Sequence, residues 1–161
     1  MEDFENLNRV LEQFGYEFKQ QLRDKIVAEN AVASGDLLNS IDCRVEIEDE
    51  CFVVYLYHAD YFHYVNENTE PHWPPYDSTE KTFPQIEKWV MDKPLQPYPD
   101  SSGKLPTIKQ VTFLVARKIS EEGTQGHYFF ESTLNGLMEK YYPMIVDAIY
   151  KDIEKDLEGL I

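Results

Sequence analysis

The stretch Cys43–His58, CRVEIEDECFVVYLYH, decides how this chain is read. Folded on a two-residue turn at Asp49 and Glu50, it pairs Glu48 with Cys51, Ile47 with Phe52, Val45 with Val54 and Cys43 with Leu56. In that register Cys43, Val45, Ile47, Phe52, Val54 and Leu56 share one wholly apolar face. Arg44, Glu46, Glu48, Cys51, Val53, Tyr55 and Tyr57 share the other. A slip of one residue would turn every apolar side chain to water, so two separate runs of period two agree on one pairing. The Asp-Glu turn lacks the glycine of favoured two-residue loops, and a longer loop would keep most of the pairs. A lone ribbon is marginal in water, which predicts a cover for its apolar face and further strands beside it.

Working outward, Phe4, Leu7, Leu11, Phe14, Phe18, Leu22 and Ile26 recur at three and four residues. They predict one amphipathic helix from Asp3 to about Asn30, despite Gly15, as the lid of the ribbon. Ala33-Ser34-Gly35 breaks that helix, and Asp36 can cap a single turn carrying Leu37, Leu38 and Ile41 inward. After the ribbon, Tyr61, Phe62, Tyr64 and Val65 fit either a third strand or one helical turn. Beyond Asn66 no period survives, and Pro71, Pro74 and Pro75 exclude central strand or helix. Thr82-Phe83-Pro84-Gln85 reads as a helix start with the threonine hydroxyl as cap, and Ile86, Trp89 and Val90 form its apolar face. A second proline-rich loop, Pro94–Thr107, follows. Thr107 and Gln110 then make a capping box for a helix with Ile108, Val111, Val115 and Ile119 inward and Gly123 as its stop. A last helix carries Phe130, Leu134, Met138, Tyr142, Ile145, Ile149, Ile153 and Leu157, with Pro143 expected to kink or split it. The fold class is therefore α+β: a small antiparallel sheet built on the 43–58 hairpin, covered by a long N-terminal helix and further helices. It is read as a single domain, 1–161, with extended loops at 59–82 and 94–107 and a C-terminal helical extension from about 143 to 161.

At 161 residues the chain can bury roughly two thirds of its unfolded surface and needs no staple. No apolar run reaches membrane-spanning length, and MEDFENLNRV is acidic where a secretory leader is basic and then apolar, so synthesis in the cytoplasm with no membrane partner is expected. Cys43 and Cys51 fall on opposite ribbon faces and are read as free thiols. The net charge of −15 argues against a surface that neutralises phosphates. Such a charge suits solubility, a wall that nucleic acid passes without sticking, or an imitation of nucleic acid.

Chemistry-bearing constellations are weak. His58, Asp60, His63 and His72 match no established ligand spacing. Paired carboxylates arise by chance among thirty acidic residues, and acid–base work needs a cleft as well. Cys43 on an apolar face reads as packing. Gly123-Thr-Gln-Gly126 is too short for a phosphate loop and lacks the lysine. No catalytic, cofactor or metal site is expected. Trp73 and Tyr76, in a long loop, favour contact with something over disorder.

The order of these motifs resembles the phage tail-completion and head-tail joining (neck) protein superfamily, related to the tail terminators. The resemblance covers roughly Phe4 to Tyr142. It rests on the long first helix, SGDLLNSI (Ser34–Ile41), the hairpin, YFHYVNENTEPHWPP (Tyr61–Pro75), the helix bearing Trp89-Val90, FLVARKISEEGTQG (Phe113–Gly126) and the aromatics Tyr128 to Phe130. Two departures stand out. Asn68 replaces a usual glycine before Thr69, a residue that enters the left-handed backbone less freely, and the Pro94–Thr107 loop and Pro143–Ile161 tail are longer than usual. The resemblance implies a small subunit without catalysis or cofactor, assembled in the host cytoplasm into the virion as a homo-oligomeric ring of six or twelve copies. That ring would contact portal-side connector and tail proteins and line a conduit for genomic DNA that it does not bind specifically. The ribbon edge and the loops His58–Asp77 and Pro94–Thr107 are the expected contacts, with Tyr61, Tyr64, Trp73, Tyr76, Leu95, Tyr98 and Leu105 as interface residues. A tail terminator ring and an acidic DNA-mimic binding protein are the alternatives.

Overall fold

A computed structural model describes residues 4–31, 35–49, 51–93, 95, 97–99 and 101–158. The helix start expected at Asp3, Ala33 and Ser34 of the break, Glu50 of the turn, Pro94, and the last three residues lie outside these. In chain order the elements are α1 (Glu5–Ala28), α2 (Asp36–Ser40), β1 (Asp42–Glu48), β2 (Cys51–Tyr57), α3 (Phe62–Asn66), α4 (Pro84–Asp92), α5 (Ile108–Glu122) and α6 (Phe129–Glu158). The fold is α+β, with the long first helix packed on the hairpin. It divides into two compact units: one holds α1, the ribbon and α6, and the other holds α3, α4 and α5 with their loops.

In the first unit, Leu7, Val10, Phe14, Phe18, Leu22 and Ile26 give α1 a continuous buried stripe. Fully burying one such side chain contributes about 1.5–3 kcal/mol, so this stripe is a large share of what holds the unit. Phe14 meets Tyr141 edge-on at 5.4 Å, and Phe18 meets Phe130 at 5.5 Å, joining α1 to α6. Gly15 sits in mid-helix because β1 passes close by: a Cβ there would lie 3.2 Å from Cys43 Sγ. Lys19 on α1 reaches Asp42 of β1 at 2.8 Å. Its hydrogen bond, and then that of Arg44, hold the Asp42 carboxyl at about 2.

The hairpin register is the expected one, Asp42 with Tyr57 through Glu48 with Cys51. Asp49 enters the turn at φ 45°, a left-handed conformation that aspartate tolerates better than most residues. The further strands do not form among the described residues, where the sheet has two strands. Burial is correspondingly shallow: Val45, Val54 and Leu56 are half-buried under α1, and Ile47, near the turn, is exposed.

The last helix departs from expectation twice. Its buried side is Phe129, Thr133, Leu137, Tyr141, Ala148 and Asp152, offset by one residue from the stripe of large apolar side chains, so Met138, Tyr142, Ile153 and Leu157 are exposed. The reason lies in α1, which already supplies the bulky groups at the seam and leaves room opposite for Thr133, Ala148 and a carboxylate. Of the kink or split expected at Pro143, the split does not occur, and α6 runs for 30 residues. The missing N–H is tolerated because buried residues on both sides, Tyr141 and Ala148, hold the helix in place.

Asp152 is the polar centre of this unit. It has no exposed surface, and its carboxylate closes the start of α1, where Phe4 supplies no side-chain cap. Oδ1 accepts from the Asn6 N–H at 3.1 Å and from the Asn6 amide at 2.7 Å, and Oδ2 accepts from the Leu7 N–H at 2.8 Å. A helix N-terminus presents unpaired N–H groups and a positive dipole end, so the carboxylate answers both.

In the second unit, the short segment left open between strand and helix is helical, α3. The start of α4 differs from the threonine cap expected: Phe83 stands at the cap position without a side-chain bond, and the Thr82 hydroxyl donates to Glu87 Oε2 at 2.6 Å. The capping box at Thr107 and Gln110 is present, and Gly123 ends α5 at φ 74°.

Candidate functional site

Two loops that share no sequence pattern clasp each other in the second unit. Thr69 and Thr124 form an antiparallel bridge, with N–H to carbonyl distances of 2.9 and 3.3 Å and their hydroxyls 2.8 Å apart. The Asn68 side chain accepts the Gly126 N–H at 2.8 Å, and the Val65 carbonyl accepts the His127 N–H at 3.1 Å. Asn68 thus makes a side-chain bond that glycine could not, and its backbone is not in the left-handed region. Gly123 and Gly126 are required by proximity: a Cβ would stand 1.9 Å from the Thr69 carbonyl oxygen at the first and 2.2 Å from the Glu67 carbonyl carbon at the second. The Gly123–Gly126 turn, which resembles no phosphate loop, is a structural staple.

The clasp holds the aromatic loop against α4 and α5. Trp73 stacks on Phe83 at 5.9 Å, Tyr76 meets Phe83 at 5.0 Å, and Phe113 of α5 lies 6.4 Å from Trp73. Phe83 is buried beneath them, while Trp73, Tyr76 and Phe113 remain exposed. Tyr64 is exposed on α3 with the His63 ring beside it at 4.1 Å. Tyr61 precedes α3, and burial, then the nearby Asp36 carboxylate, pushes its pKa up. Leu95, Tyr98 and Leu105 stand exposed on the arm between α4 and α5, Tyr98 with 92% of its surface open. The structure therefore brings Trp73 and Tyr76 into one cluster, and all seven residues named from sequence lie on the surface of this one unit.

Sequence reading missed a neighbouring feature. Val111, Val115 and Ile119, taken as core, line an open groove with Trp89 and Leu114, while the fully buried positions of α5 are Thr112 and Ala116. Ile108, also taken as core, is exposed. A signal was present: IKQVTFLVARKI is apolar around more of the helix than one core face needs.

The arrangement offers contact surface. Among the described residues no three His, Cys, Asp or Glu side chains converge as metal ligands. His58 and His72 each place Nδ1 by a backbone carbonyl, of Ala59 at 3.0 Å and Glu70 at 2.8 Å. No described helix is long and apolar enough to cross a membrane. Comparison with models of known families, with characterised proteins and with solved structures finds no match to this chain.

Proposed function

We propose that this chain is a structural subunit of a phage neck, assembling as a ring of six or twelve copies that joins the portal side of the head to the tail. It acts by contact, without catalysis or cofactor, and its acidic charge lets passing DNA slide instead of bind. The observation that carries this reading is the exposed aromatic and apolar surface of the second unit, held in shape by the Thr69–Thr124 clasp. Scattered exposed apolar residues are ordinary, but a clasped cluster of Trp73, Tyr76 and Phe113 beside an apolar groove is the anatomy of an interface. The ribbon supports it too: among the described residues neither outer edge bonds another backbone, and β2, CFVVYLY, carries no charge to guard its edge. Quantitative mass spectrometry of purified phage particles tests the reading, with a copy number that is a multiple of six expected. Deletion of Leu95–Lys104 should leave heads and tails unjoined. A chain absent from particles, or normal joining after the deletion, would overturn it.

A further inference from the structure

Between α4 and α5 lies a shallow apolar cavity of about 410 Å³, lined by Trp89, Val111, Leu114, Val115 and Ile119, with Lys118 as the charged group of its wall. Among the described residues Lys118 pairs with Glu122, at 3.6 Å, with both side chains exposed. The same unit carries a fitting counterpart. Tyr98 is the most exposed large hydrophobic residue among those described, and it stands between Pro97 and Pro99. From Leu95 to Gly103 the arm holds one charged residue, Asp100, opposite in sign to Lys118. With so little of its surface covered, Tyr98 does not fill the groove of its own chain.

We propose that the Tyr98 arm of one copy seats in the α4–α5 groove of the next, a contact that rests on the ring reading above and gives it a mechanism. Flanking prolines restrict the arm before binding, so little conformational freedom is lost on docking. Tyrosine buries a large apolar ring while keeping a hydroxyl for the rim, the composition of an interface anchor. Asp100 and Lys118 would set the orientation more than the affinity. Arm and groove are different surfaces of one chain, so the contact is head-to-tail, and repetition closes a ring or runs on as a filament.

The test uses the full chain with Cys51→Ser in every partner. A Tyr98→Cys chain is mixed with an isotope-labelled Leu114→Cys chain, oxidised mildly and weighed intact. Both positions are exposed, so neither change disturbs the core. The mixed disulfide dimer should exceed, at least about tenfold, the yield from a control in which Tyr150→Cys, exposed on α6, replaces Tyr98→Cys, and Tyr98→Ala should weaken self-association by at least about tenfold. Mixing Tyr98→Ala with Leu114→Glu should stop assembly at two chains, since each retains one half of the contact. Cross-linking at the control level, rings that form as readily with Tyr98→Ala, or a groove that cross-links to another virion protein and not to position 98 would overturn the proposal. Cross-linked copies of a chain absent from particles would uphold the contact and sink the neck reading. Particle rings indifferent to Tyr98→Ala would do the reverse.

Discussion

Replacing Asp152 with alanine should destabilise the first unit by about 3 kcal/mol. Three donors lose their acceptor: the Asn6 N–H, the Leu7 N–H and the Asn6 amide. Loss of a helix cap costs about 1 to 2 kcal/mol. A buried N–H left without a partner adds about 1 to 3 kcal/mol, and Leu7 is the one shielded from water. The side-chain amide of Asn6 can turn to solvent and adds little. Urea unfolding followed by helical circular dichroism measures the difference, with exchange of the Asn6 and Leu7 amides as a local readout. Acid gives a second check. Burial pushes the Asp152 pKa up, but the bonds from Leu7 and Asn6 outweigh it and hold the carboxyl below 3.8. A depressed carboxyl contributes stability that is whole above the unfolded value and is lost as pH falls through the folded one. The gap between native and Asp152→Ala should therefore narrow only below about pH 3.8. Lys155→Ala, which removes the exposed ion pair with Glu5, should cost under about 1 kcal/mol. An Asp152→Ala loss no larger than that of Lys155→Ala, with unchanged amide exchange, would refute the capping role.

Gly123→Ala should cost more than about 3 kcal/mol or prevent folding, because a Cβ would collide with the Thr69 carbonyl at a left-handed backbone; Gly103→Ala, at φ 80° with open space around it, should cost only about 1 to 2 kcal/mol, and thermal unfolding compares them. Tyr141 donates to Glu17 at 2.7 Å, and burial, then that bond, pushes its phenol up to about 12. Native stability should fall between pH 10 and about 12 as the folded protein holds its proton, a decline that Tyr141→Phe should lessen, and ultraviolet titration of that variant should show one late-ionising tyrosine fewer than the native chain. The Thr133 hydroxyl is buried with no partner among the described residues, so Thr133→Val should raise stability by about 1 kcal/mol, measured by urea midpoint.

Features with local causes were legible in the sequence. The ribbon register follows from two runs of period two, α1 from its apolar spacing, and the start of α5 from Thr107 and Gln110. Features set by distant partners were not. Nothing near Asp152 signals burial, since the groups it serves lie about 145 residues away in the chain. The offset on α6 has the same origin: size favoured Met138 and Tyr142 as core, while α1 fits best against Leu137 and Tyr141. Among the proposed contacts, aromatic composition pointed to Trp73 and Tyr76. The groove stayed hidden because Val111 and Val115 look identical in sequence whether they face a core or an open cavity.

The close pass of β1 beneath Gly15 leaves the two thiols chemically unequal. Cys43 is sheltered there, and burial, then the adjacent Asp42 carboxylate, pushes its pKa up, whereas Cys51 is exposed on the opposite ribbon face. One equivalent of a maleimide at neutral pH should therefore modify Cys51 alone. The native chain carries its own single-site reporter at the ribbon tip, and protection of that thiol when copies are concentrated would read directly whether a neighbour covers the tip.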